Sequence, residues 1–455
     1  MVNFSIIKKS QLEGATRIDA EYYQPEYLEI VKKVSDYPRL SDLAKNIVCG
    51  PFGSAILNSD YRETGIPLLR VTNLNNDFIN CENIIYIEEN LSNSLKKYQV
   101  FPDDIVVSQR GTVAMFSLVT DEYKKYNISA NLISILNSEK INFLYLLAFL
   151  NSKFGISQIL RKVSGQVQEK ITTDDIRDIL VFLPKEKIQN EIANFILESE
   201  NEIKKSKLFY QQAENLLLEE LGLKDFENNK SLFSIVNLSE VETVNRIDAE
   251  YFQKKYKIIL EKIQKNNAHK LGDLVSMKKG IEVGAEEYQE DGKVFIRVSS
   301  MTKYGIAESD QKYLSDKLYE RLKENFEPKK GEILLTKDAT LGVACVLKQD
   351  IQGIISGGTL RLKLKDTEIE AEYLALCLNS IIGQMQAERD AGGSVIAHWK
   401  PEQIKNVIIP VLPKEIQLKI SELVRKSHEA RKKSKELLEE AKRKVEEMIE
   451  KEAGE

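Results

Sequence analysis

The sequence has few of the residues that build disulfide, metal or membrane-spanning structures. Its 455 residues include four scattered cysteines and three scattered histidines. This pattern excludes a disulfide scaffold and a Cys-x-x-Cys zinc site, gives no sign of a histidine metal cluster, and suits a reducing cytoplasm. The first residues lack the apolar core of a signal peptide, and no apolar run approaches the roughly 20 residues of a membrane span.

The short motifs of several enzyme classes are missing as well. The chain contains no Gly-x-Gly, no Gly-Lys-Ser/Thr, no Pro-Pro pair and no Gly-x-Ser-x-Gly. These absences argue against a glycine loop for a dinucleotide or methyl donor, a P-loop, an Asn-Pro-Pro-Tyr methyltransferase motif and a serine-hydrolase elbow. We therefore expect a chain with no catalytic motif and no cofactor of its own.

The remaining composition is that of a folded globular protein. Hydrophobic residues make up 42% and charged residues 30% of the chain. At roughly 100–200 residues per domain, the length predicts two to four domains. With 65 basic and 70 acidic residues, the net charge is −5. Any binding to nucleic acid must therefore depend on local basic patches rather than on the overall charge.

The chain contains an internal repeat at an offset of about half its length. The segment RIDAEYY at 17–23 recurs as RIDAEYF at 246–252, and LPKE at 183–186 recurs at 412–415. Between these anchors, short β-branched runs bounded by Gly, Pro and Asp predict strands, and helices are expected near 141–153 and 370–382. Each half is therefore predicted to form an α+β globule.

A long helix is predicted after each globule. Residues 185–222 contain no proline and a single glycine at the end, and residues 414–452 contain neither residue. Both segments have an apolar period of 3.5 residues, which is typical of a coiled coil. The residues predicted to form this seam and a surface for partners are Ile192, Ile196, Ile203, Tyr210, Leu217, Ile420, Val424, Leu438 and Val445. Two equal globule–helix units related by a two-fold axis favour an antiparallel helix pair, with a parallel pair as the alternative.

The predicted fold class is α+β, with two α/β globules related by the repeat and separated by two long helices that form an antiparallel coiled coil. We predict a first globular domain at 1–184, a central spacer helix at 185–222, a second globular domain at 223–412 and a C-terminal spacer helix at 413–455. A two-fold arrangement of two divergent globules suits duplex DNA, whose half-sites one turn apart are about 34 Å from each other. The DNA target would then be bipartite and asymmetric.

Several segments together resemble a known family. They are Gly50-Pro-Phe-Gly-Ser54, Gly65-Ile-Pro67, the RIDAEYY/RIDAEYF pair and both LPKE segments before long helices. In their order and duplication, across essentially the whole chain, the sequence resembles the specificity subunit of a Type I restriction-modification system. The second half departs from the pattern, since it lacks the GPFGS segment and a Gly-Ile-Pro turn.

The resemblance implies a cytoplasmic, non-catalytic subunit whose two target recognition domains each bind half of a split DNA sequence. It also implies assembly with two modification subunits, which methylate adenine with S-adenosylmethionine, and with restriction subunits. The long helices would dock the modification subunits. A two-headed protein-binding scaffold that does not recognise DNA is the alternative function.

Polar side chains in or beside glycine-bearing loops are the candidates for DNA contacts. Arginine or lysine pairs with guanine and glutamine with adenine in the usual base contacts. The candidates are Gln109, Arg110, Gln166, Gln168 and Lys170 in the first half, and Lys337, Arg389, His398, Trp399 and Lys400 in the second. A solvated surface position is the alternative for each polar residue, and a core position is the alternative for Trp399.

Two acidic patterns raise the possibility of a hydrolase. Asp19-x-Glu21 recurs as Asp248-x-Glu250, and such carboxylates can hold Mg²⁺ for phosphodiester cleavage. The other interpretation is an aspartate at a helix start with the following aromatic residues packed beneath it. Pro102-Asp103-Asp104 resembles the start of a nuclease motif, but a turn before a strand is expected there.

Overall fold

The computed structural model describes residues 6–8, 12, 18–163, 170–224, 226, 233–244, 246–307, 311–391 and 397–454. Backbone contacts divide the chain into two compact units. Unit 1 comprises Met1–Ile203 and Arg431–Glu455, and unit 2 comprises Lys204–Ala430. Both boundaries fall inside long helices, so each unit contains part of each helix.

Unit 1 combines short helices with two small sheets. Its helices are α1 (Pro25–Val34), α2 (Leu40–Leu43), α3 (Glu89–Ser94), α4 (Phe143–Leu150), α5 (Lys153–Leu160), α6 (Thr173–Arg177), the first part of α7 (Glu186–Glu220) and the last part of the C-terminal helix (Lys414–Gly454). Its strands are β1 (Asn46–Cys49), β2 (Ile66–Leu69), β3 (Ile85–Ile87), β4 (Gln99–Val100), β5 (Ile105–Ser108), β6 (Phe116–Leu118), β7 (Tyr126–Ile128) and β8 (Leu132–Leu136). One sheet is antiparallel with the order β1-β8-β5-β6, and the other has the order β3-β2-β7-β4 with β2 and β7 parallel.

Strand β5 lies at the centre of unit 1 and is buried on both faces. Ile105 and Val107 belong to the main apolar cluster, while Val106 belongs to a second cluster on the opposite face. A strand covered on both sides has a continuous apolar sequence rather than an alternating one, which explains the Ile-Val-Val run. Helix α4 covers the main cluster, and its N-cap Asn142 accepts hydrogen bonds from two backbone N–H groups of its first turn.

Unit 2 has the same kinds of element in nearly the same order. Its helices are α8 (Leu238–Val244), α9 (Lys254–Gln264), α10 (Leu271–Leu274), α11 (Asp316–Phe326), α12 (Ala371–Asn379), α13 (Ile381–Asp390), α14 (Pro401–Lys405) and the first part of α15 (Lys414–Gly454), besides the end of α7. Its strands are β9 (Ala268–Lys270), β10 (Val275–Lys279), β11 (Lys293–Ile296), β12 (Met301–Thr302), β13 (Gly305–Ile306), β14 (Lys312–Leu314), β15 (Ile333–Thr336), β16 (Ala344–Val346), β17 (Gly353–Ile355), β18 (Thr359–Leu364) and β19 (Ile408–Pro410).

The sheet topology of unit 2 repeats that of unit 1. Its antiparallel sheet has the order β10-β18-β15-β16, which matches β1-β8-β5-β6 strand for strand. Its other main sheet, β14-β11-β17, matches β3-β2-β7 and keeps the parallel pair at the same place, β11 with β17. The internal repeat predicted from the sequence is therefore a repeat of fold.

The second half lacks the Gly-Ile-Pro motif, but its backbone forms the same glycine turn. Gly65 has φ of +136°, and a Cβ built there would lie 2.5 Å from the Ile87 carbonyl oxygen. Gly292 has φ of +127°, and its Cβ would lie 2.5 Å from the Leu314 carbonyl oxygen. Both conditions favour glycine, whereas the proline at position 67 is not needed for the turn. The departure of the second half from the Gly-Ile-Pro pattern therefore leaves the backbone unchanged.

The two long helices contact each other in both units, and the contacts in unit 1 show that they run antiparallel. In unit 1, the Ser199 and Ser434 hydroxyls are 2.8 Å apart, and the Lys433 ammonium donates to the Glu202 carboxylate at 3.0 Å. In unit 2, a second serine pair, Ser206 and Ser427, has its hydroxyls 3.0 Å apart. Later residues of α7 thus contact earlier residues of α15. This order confirms the predicted antiparallel pairing.

The seam residues predicted from the helical period lie inside the units. At most 5% of the surface of Ile192, Ile196, Tyr210, Leu217, Ile420, Val424 and Val445 is exposed, and Ile203 and Leu438 are partly buried. They pack between the helices and against the sheet-and-helix core of their own unit. The expectation that these same side chains form a docking surface is therefore wrong, because a partner would reach only the outward-facing residues of the helices.

Across the part of the chain that the structure describes, no single helix is long and apolar enough to cross a membrane. One bent pair of helices, Phe143–Leu150 with Lys153–Leu160, passes such a test by length and composition alone.

Candidate nucleic-acid interface

A short loop after strand β5 carries two of the candidate DNA contacts in unit 1. We call residues 109–115 the recognition loop of unit 1. Its backbone takes left-handed conformations at Gly111, with φ of +82°, and at Ala114, with φ of +62°. The Ser108 hydroxyl fixes the base of the loop, since it donates to the Thr112 carbonyl and accepts from the Met115 amide.

The recognition loop of unit 1 is tied to the segment that contains Lys170. Arg110 and Lys170 form an isolated antiparallel bridge, and the Ile171 amide donates to the Gln109 carbonyl at 3.1 Å. Arg110 and Lys170 are both exposed. Although the two residues are far apart in the sequence, the structure brings their backbones together, so that two cationic side chains start from adjacent positions.

Unit 2 contains the same construction after strand β15. We call residues 337–343 the recognition loop of unit 2. Ala339, with φ of +59°, and Gly342, with φ of +74°, take the same two left-handed positions. The Thr336 hydroxyl accepts from the Val343 amide at 2.9 Å. Asp338 and His398 form the isolated bridge.

The two recognition loops therefore share a backbone and differ in side chains. Arg110 corresponds to Asp338, and Lys170 corresponds to His398, each at an offset of 228 residues (338 minus 110, 398 minus 170). The amide of the residue after the bridge bonds the loop in both units, from Ile171 to the Gln109 carbonyl and from Trp399 to the Lys337 carbonyl. A fixed backbone with exchangeable exposed side chains can present different hydrogen-bonding groups to different ligands.

The charges of the second recognition loop are organised around Asp338. Its carboxylate oxygens lie 2.5 Å from the Lys337 ammonium and 2.8 Å from His398 Nδ1. Partial burial alone would raise the pKa of Asp338, but the hydrogen bonds from Lys337 and His398 outweigh it and hold the pKa below its usual value. The imidazole of His398 remains 59% exposed, while only 20% of the Asp338 side chain is exposed.

Two candidate side chains lie at the base of the loops. Gln109 is 8% exposed, and its amide oxygen accepts a weak hydrogen bond from the Cys49 thiol at 3.8 Å. Lys337 is 7% exposed and pairs with Asp338. Both residues are therefore in position to support the recognition loops, with little of their own surface open to a ligand.

Trp399 lies in the core of unit 2, which corrects its selection as a candidate DNA contact. Its ring is 1% exposed and belongs to the main apolar cluster of unit 2, so it does not extend into solvent where DNA would bind. Its position corresponds to Ile171 of unit 1, which is also fully buried. An apolar side chain at this place anchors the segment that carries the bridging residue, which is the core position that the sequence left open.

The remaining candidates are placed as follows. Arg389 is mostly buried, forms an ion pair with Asp390 at 2.7 Å, and lies 5.2 Å from the centre of the Tyr251 ring. Arg389 therefore packs within the fold of unit 2 rather than extending toward a ligand. Lys400 is exposed at the start of α14. Gln166 and Gln168 lie outside the described residues.

The repeated Asp-x-Glu segments form turns. The Asp19 carboxylate accepts from the Tyr22 amide at 3.2 Å, and the Asp248 carboxylate accepts from the Tyr251 amide at 3.0 Å. These turns precede helices that begin later, at Pro25 and Lys254, so the expected helix start at the aspartate is corrected to a separate turn.

The aspartates of these segments therefore have structural partners. A hydrogen bond from the Arg246 guanidinium lowers the pKa of Asp248. The residues that the structure describes contain no group of three or more metal-ligating side chains placed to hold an ion. Asp104 likewise accepts from the Phe101 and Asn137 amides, as the expected turn before a strand requires.

Sequence reasoning missed Asp338 and the correspondence of the two loops. The signal was available, since Ser108-Gln-Arg-Gly-Thr112 aligns with Thr336-Lys-Asp-Ala-Thr340 at the offset of the repeat. The exchange of Gly111 for Ala339, and of Ala114 for Gly342, conceals it, because alanine is unusual at a positive φ. The bridge to Lys170 or His398 joins residues about 60 positions apart and has no local sequence signature.

A family model for the Type I restriction modification DNA specificity domain matches residues 38–209 and 264–442, well over half of the chain. The chain belongs to this family. It is accordingly a DNA sequence-specificity subunit of a restriction-modification system, and specificity subunits of this family are not catalytic. The two matched segments coincide with the repeat, and the family does not favour the alternative of a protein scaffold.

Solved structures of the same kind are similar to this chain. The Type I S subunit from M. genitalium is 15% identical, with a TM-score of 0.38 and 91% of this chain and 94% of that chain covered. The HsdS subunit from Thermoanaerobacter tengcongensis is 13% identical, with a TM-score of 0.28 and 92% and 95% covered. Among curated proteins, no sequence matches this chain.

Proposed function

We propose that units 1 and 2 of this specificity subunit each recognise one half of a bipartite DNA sequence. One observation carries the proposal: both units build the same recognition loop and bridge, and the exposed side chains on that shared backbone differ. Phosphate contacts fix the position of a protein on DNA, whereas contacts to base edges give sequence specificity. Two copies of one loop with different side chains suit two different base sequences.

Unit 1 is suited to guanine. Arg110 and Lys170 are exposed and only donate hydrogen bonds, and guanine offers two acceptors, O6 and N7, in the major groove. Unit 2 presents His398 beside a carboxylate instead. Gln166, Gln168 and Lys400 are further proposed contacts in or beside these segments, while Arg389 and Trp399 act within the fold of unit 2.

We propose that the recognition domains comprise residues 1–184 and 223–412, and that the helical segments 185–222 and 413–455 set the distance between half-sites. The same helices dock the modification subunits through outward-facing side chains. Leu197, Leu208 and Leu418 are apolar and between 43% and 51% exposed on these helices, in contrast to the buried seam. An exposed leucine on a charged helix is a natural contact for a partner.

The proposed partners supply what this chain lacks. Two modification subunits would bind S-adenosylmethionine and methylate adenine, and restriction subunits would cleave, all in the cytoplasm, where the chromosome lies. The net charge of −5 gives the chain no general attraction to DNA. We therefore propose that the modification subunits supply much of the grip on the duplex, which they need in order to flip the adenine.

Mapping of adenine methylation tests the proposal. The host genome is sequenced with detection of methylated adenine, with and without the gene for this chain, in the presence of the modification subunits. We expect a split motif with an unspecified spacer that disappears on deletion and returns with the wild-type gene. Methylation that is unchanged by deletion, in cells where the modification subunits are present and active, contradicts the proposal.

A further inference from the structure

We infer that His398 determines one base of the half-site recognised by unit 2 by accepting a hydrogen bond from it, and that Asp338 is the positioning residue for its imidazole. The inference rests on the proposed function of unit 2. The family match identifies neither His398 as a base contact, nor the acceptor role of its ring, nor Asp338 as the residue that positions it.

The imidazole is held by both its backbone and its ring. Two backbone hydrogen bonds flank His398, from the Ala339 amide to the Ala397 carbonyl at 2.9 Å and from the Trp399 amide to the Lys337 carbonyl at 2.8 Å. The neighbouring Trp399 ring is buried in the core of the unit. The segment is therefore anchored immediately beside the exposed imidazole, which is what a side chain needs in order to select a base.

The hydrogen bond to Asp338 decides which ring nitrogen faces outward. His398 Nδ1 lies 2.8 Å from an Asp338 carboxylate oxygen, and a carboxylate only accepts, so Nδ1 carries the hydrogen. In the neutral ring Nε2 is then an acceptor. Asp338 itself is 80% covered and also bonded to the Lys337 ammonium, so its oxygens are occupied with orienting the ring.

An outward acceptor selects the opposite bases from those that suit unit 1. In the major groove, the amino groups of cytosine and adenine donate, whereas guanine O6 and N7 accept. Lys170, at the position of His398, can only donate. We therefore expect His398 to contact an amino group of cytosine or adenine, and the two units to have opposite hydrogen-bond polarity at this position.

The acid–imidazole pair is not required for the loop to close. Unit 1 forms the same bridge and the same left-handed positions with Arg110 and Lys170, two cations, in place of Asp338 and His398. The backbone bonds are sufficient for that geometry. A side chain whose replacement leaves the loop intact, and whose ring is 59% exposed, is free to serve recognition.

The test uses the full chain in complex with its modification subunits. H398A, H398K, D338N and the control R110A are each mapped for adenine methylation, and their affinities are measured with duplexes that vary one base pair at a time. H398K places the side chain of unit 1 on the backbone of unit 2. We expect H398A to lose about tenfold in discrimination at one base pair, the usual size of a lost base contact.

The expected results distinguish the base contact of His398 from the positioning role of Asp338. H398K should change the preferred base at that pair toward guanine, D338N should weaken the preference there, and both should leave the other half-site unchanged. R110A should relax only the other half-site. A uniform loss of affinity for all duplexes in H398A and H398K, or unaltered preferences in both, overturns the inference.

The wild-type complex distinguishes this failure from a failure of the proposed function. A wild-type chain that directs a split methylation motif, together with His398 variants of unchanged preference, shows that only the inference is wrong. A wild-type complex with active modification subunits and no split motif shows that the proposed function is wrong as well. If H398A methylates no site in cells, the duplex affinities still decide, because they are compared base by base.

Discussion

Single acidic side chains close the turns before the central strands of both units. The two oxygens of Asp104 accept from the Phe101 amide at 2.8 Å and the Asn137 amide at 2.7 Å. At the same repeat position, Glu332 accepts from the Lys329 amide at 2.8 Å. Each carboxylate accepts a hydrogen bond from a backbone amide of the turn, which explains an acidic residue beside an apolar strand.

The change D104N should destabilise unit 1 in a pH-dependent way. Asparagine keeps one acceptor oxygen and so loses one of the two backbone bonds, at a cost of about 1–2 kcal/mol in the free energy of unfolding. Burial raises the pKa of Asp104, so the wild type is stabilised by this group at low pH and loses that contribution as pH rises through the raised pKa. The deficit of D104N should therefore be larger near pH 4 than near pH 7.

Urea denaturation at both pH values measures this difference. D103N is the matched control, since Asp103 is a neighbouring exposed residue with φ of +69°, a conformation that asparagine tolerates well. D103N should stay within about 0.5 kcal/mol of the wild type. A deficit for D104N that grows toward neutral pH contradicts the assigned burial effect.

At the scale of elements, buried serine pairs fix the pairing of the long helices. Ser199 and Ser434 are at most 1% exposed and bond each other, in a seam that is otherwise mostly apolar. A buried polar pair is satisfied only when the two residues face each other, so it disfavours a shift of register. Serine is also small, which lets the helices approach closely.

The variants S199A and S434A should each destabilise unit 1 by about 1–2 kcal/mol, because each leaves one buried hydroxyl with fewer partners. The double variant should cost less than the sum, since it removes both hydroxyls together. Thermal or urea unfolding of the four proteins in a double-mutant cycle gives the coupling energy. Additive effects would show that the two hydroxyls do not stabilise the helix pair through each other.

Elements with a strong local pattern were predictable from the sequence. The Leu-Pro-Lys-Glu segments and the 3.5-residue period predicted helices at 185–222 and 413–455, and the structure has helices at Glu186–Glu220 and Lys414–Gly454. Symmetry of the repeat favoured the antiparallel pairing. The bridge between the recognition loop and Lys170 or His398 could not be predicted, because long-range pairing depends on the packing of the whole unit. For Trp399 the sequence left a core position and a DNA contact open, and only its 1% exposure in the folded unit decides for the core.

At the scale of the whole molecule, the length of the helices should control the spacing of the half-sites. Duplicating residues 197–203 in α7 and 430–436 in α15 adds one heptad to each, about 10.5 Å at 1.5 Å per residue. The heptad nearly preserves the helical face. Since base pairs are about 3.4 Å apart, we expect the unspecified spacer of the methylation motif to grow by about three base pairs, with both half-sites unchanged.

A control for this prediction duplicates the heptad in α7 alone. That variant puts the two helices out of register, and we expect it to lose methylation. Methylation mapping of both variants gives the result directly. A spacer of unchanged length in the doubly lengthened chain, assembled and active, would show that the helices do not set the distance.

Two equivalent units that each recognise their own half of the target should be interchangeable. A chain in which residues 38–184 are replaced by a second copy of residues 267–413 carries the recognition part of unit 2 twice, and its methylation motif is the most direct measurement. We expect a symmetric split motif, with the unit 2 half-site repeated in inverted orientation. An active complex that still methylates the wild-type asymmetric motif contradicts it.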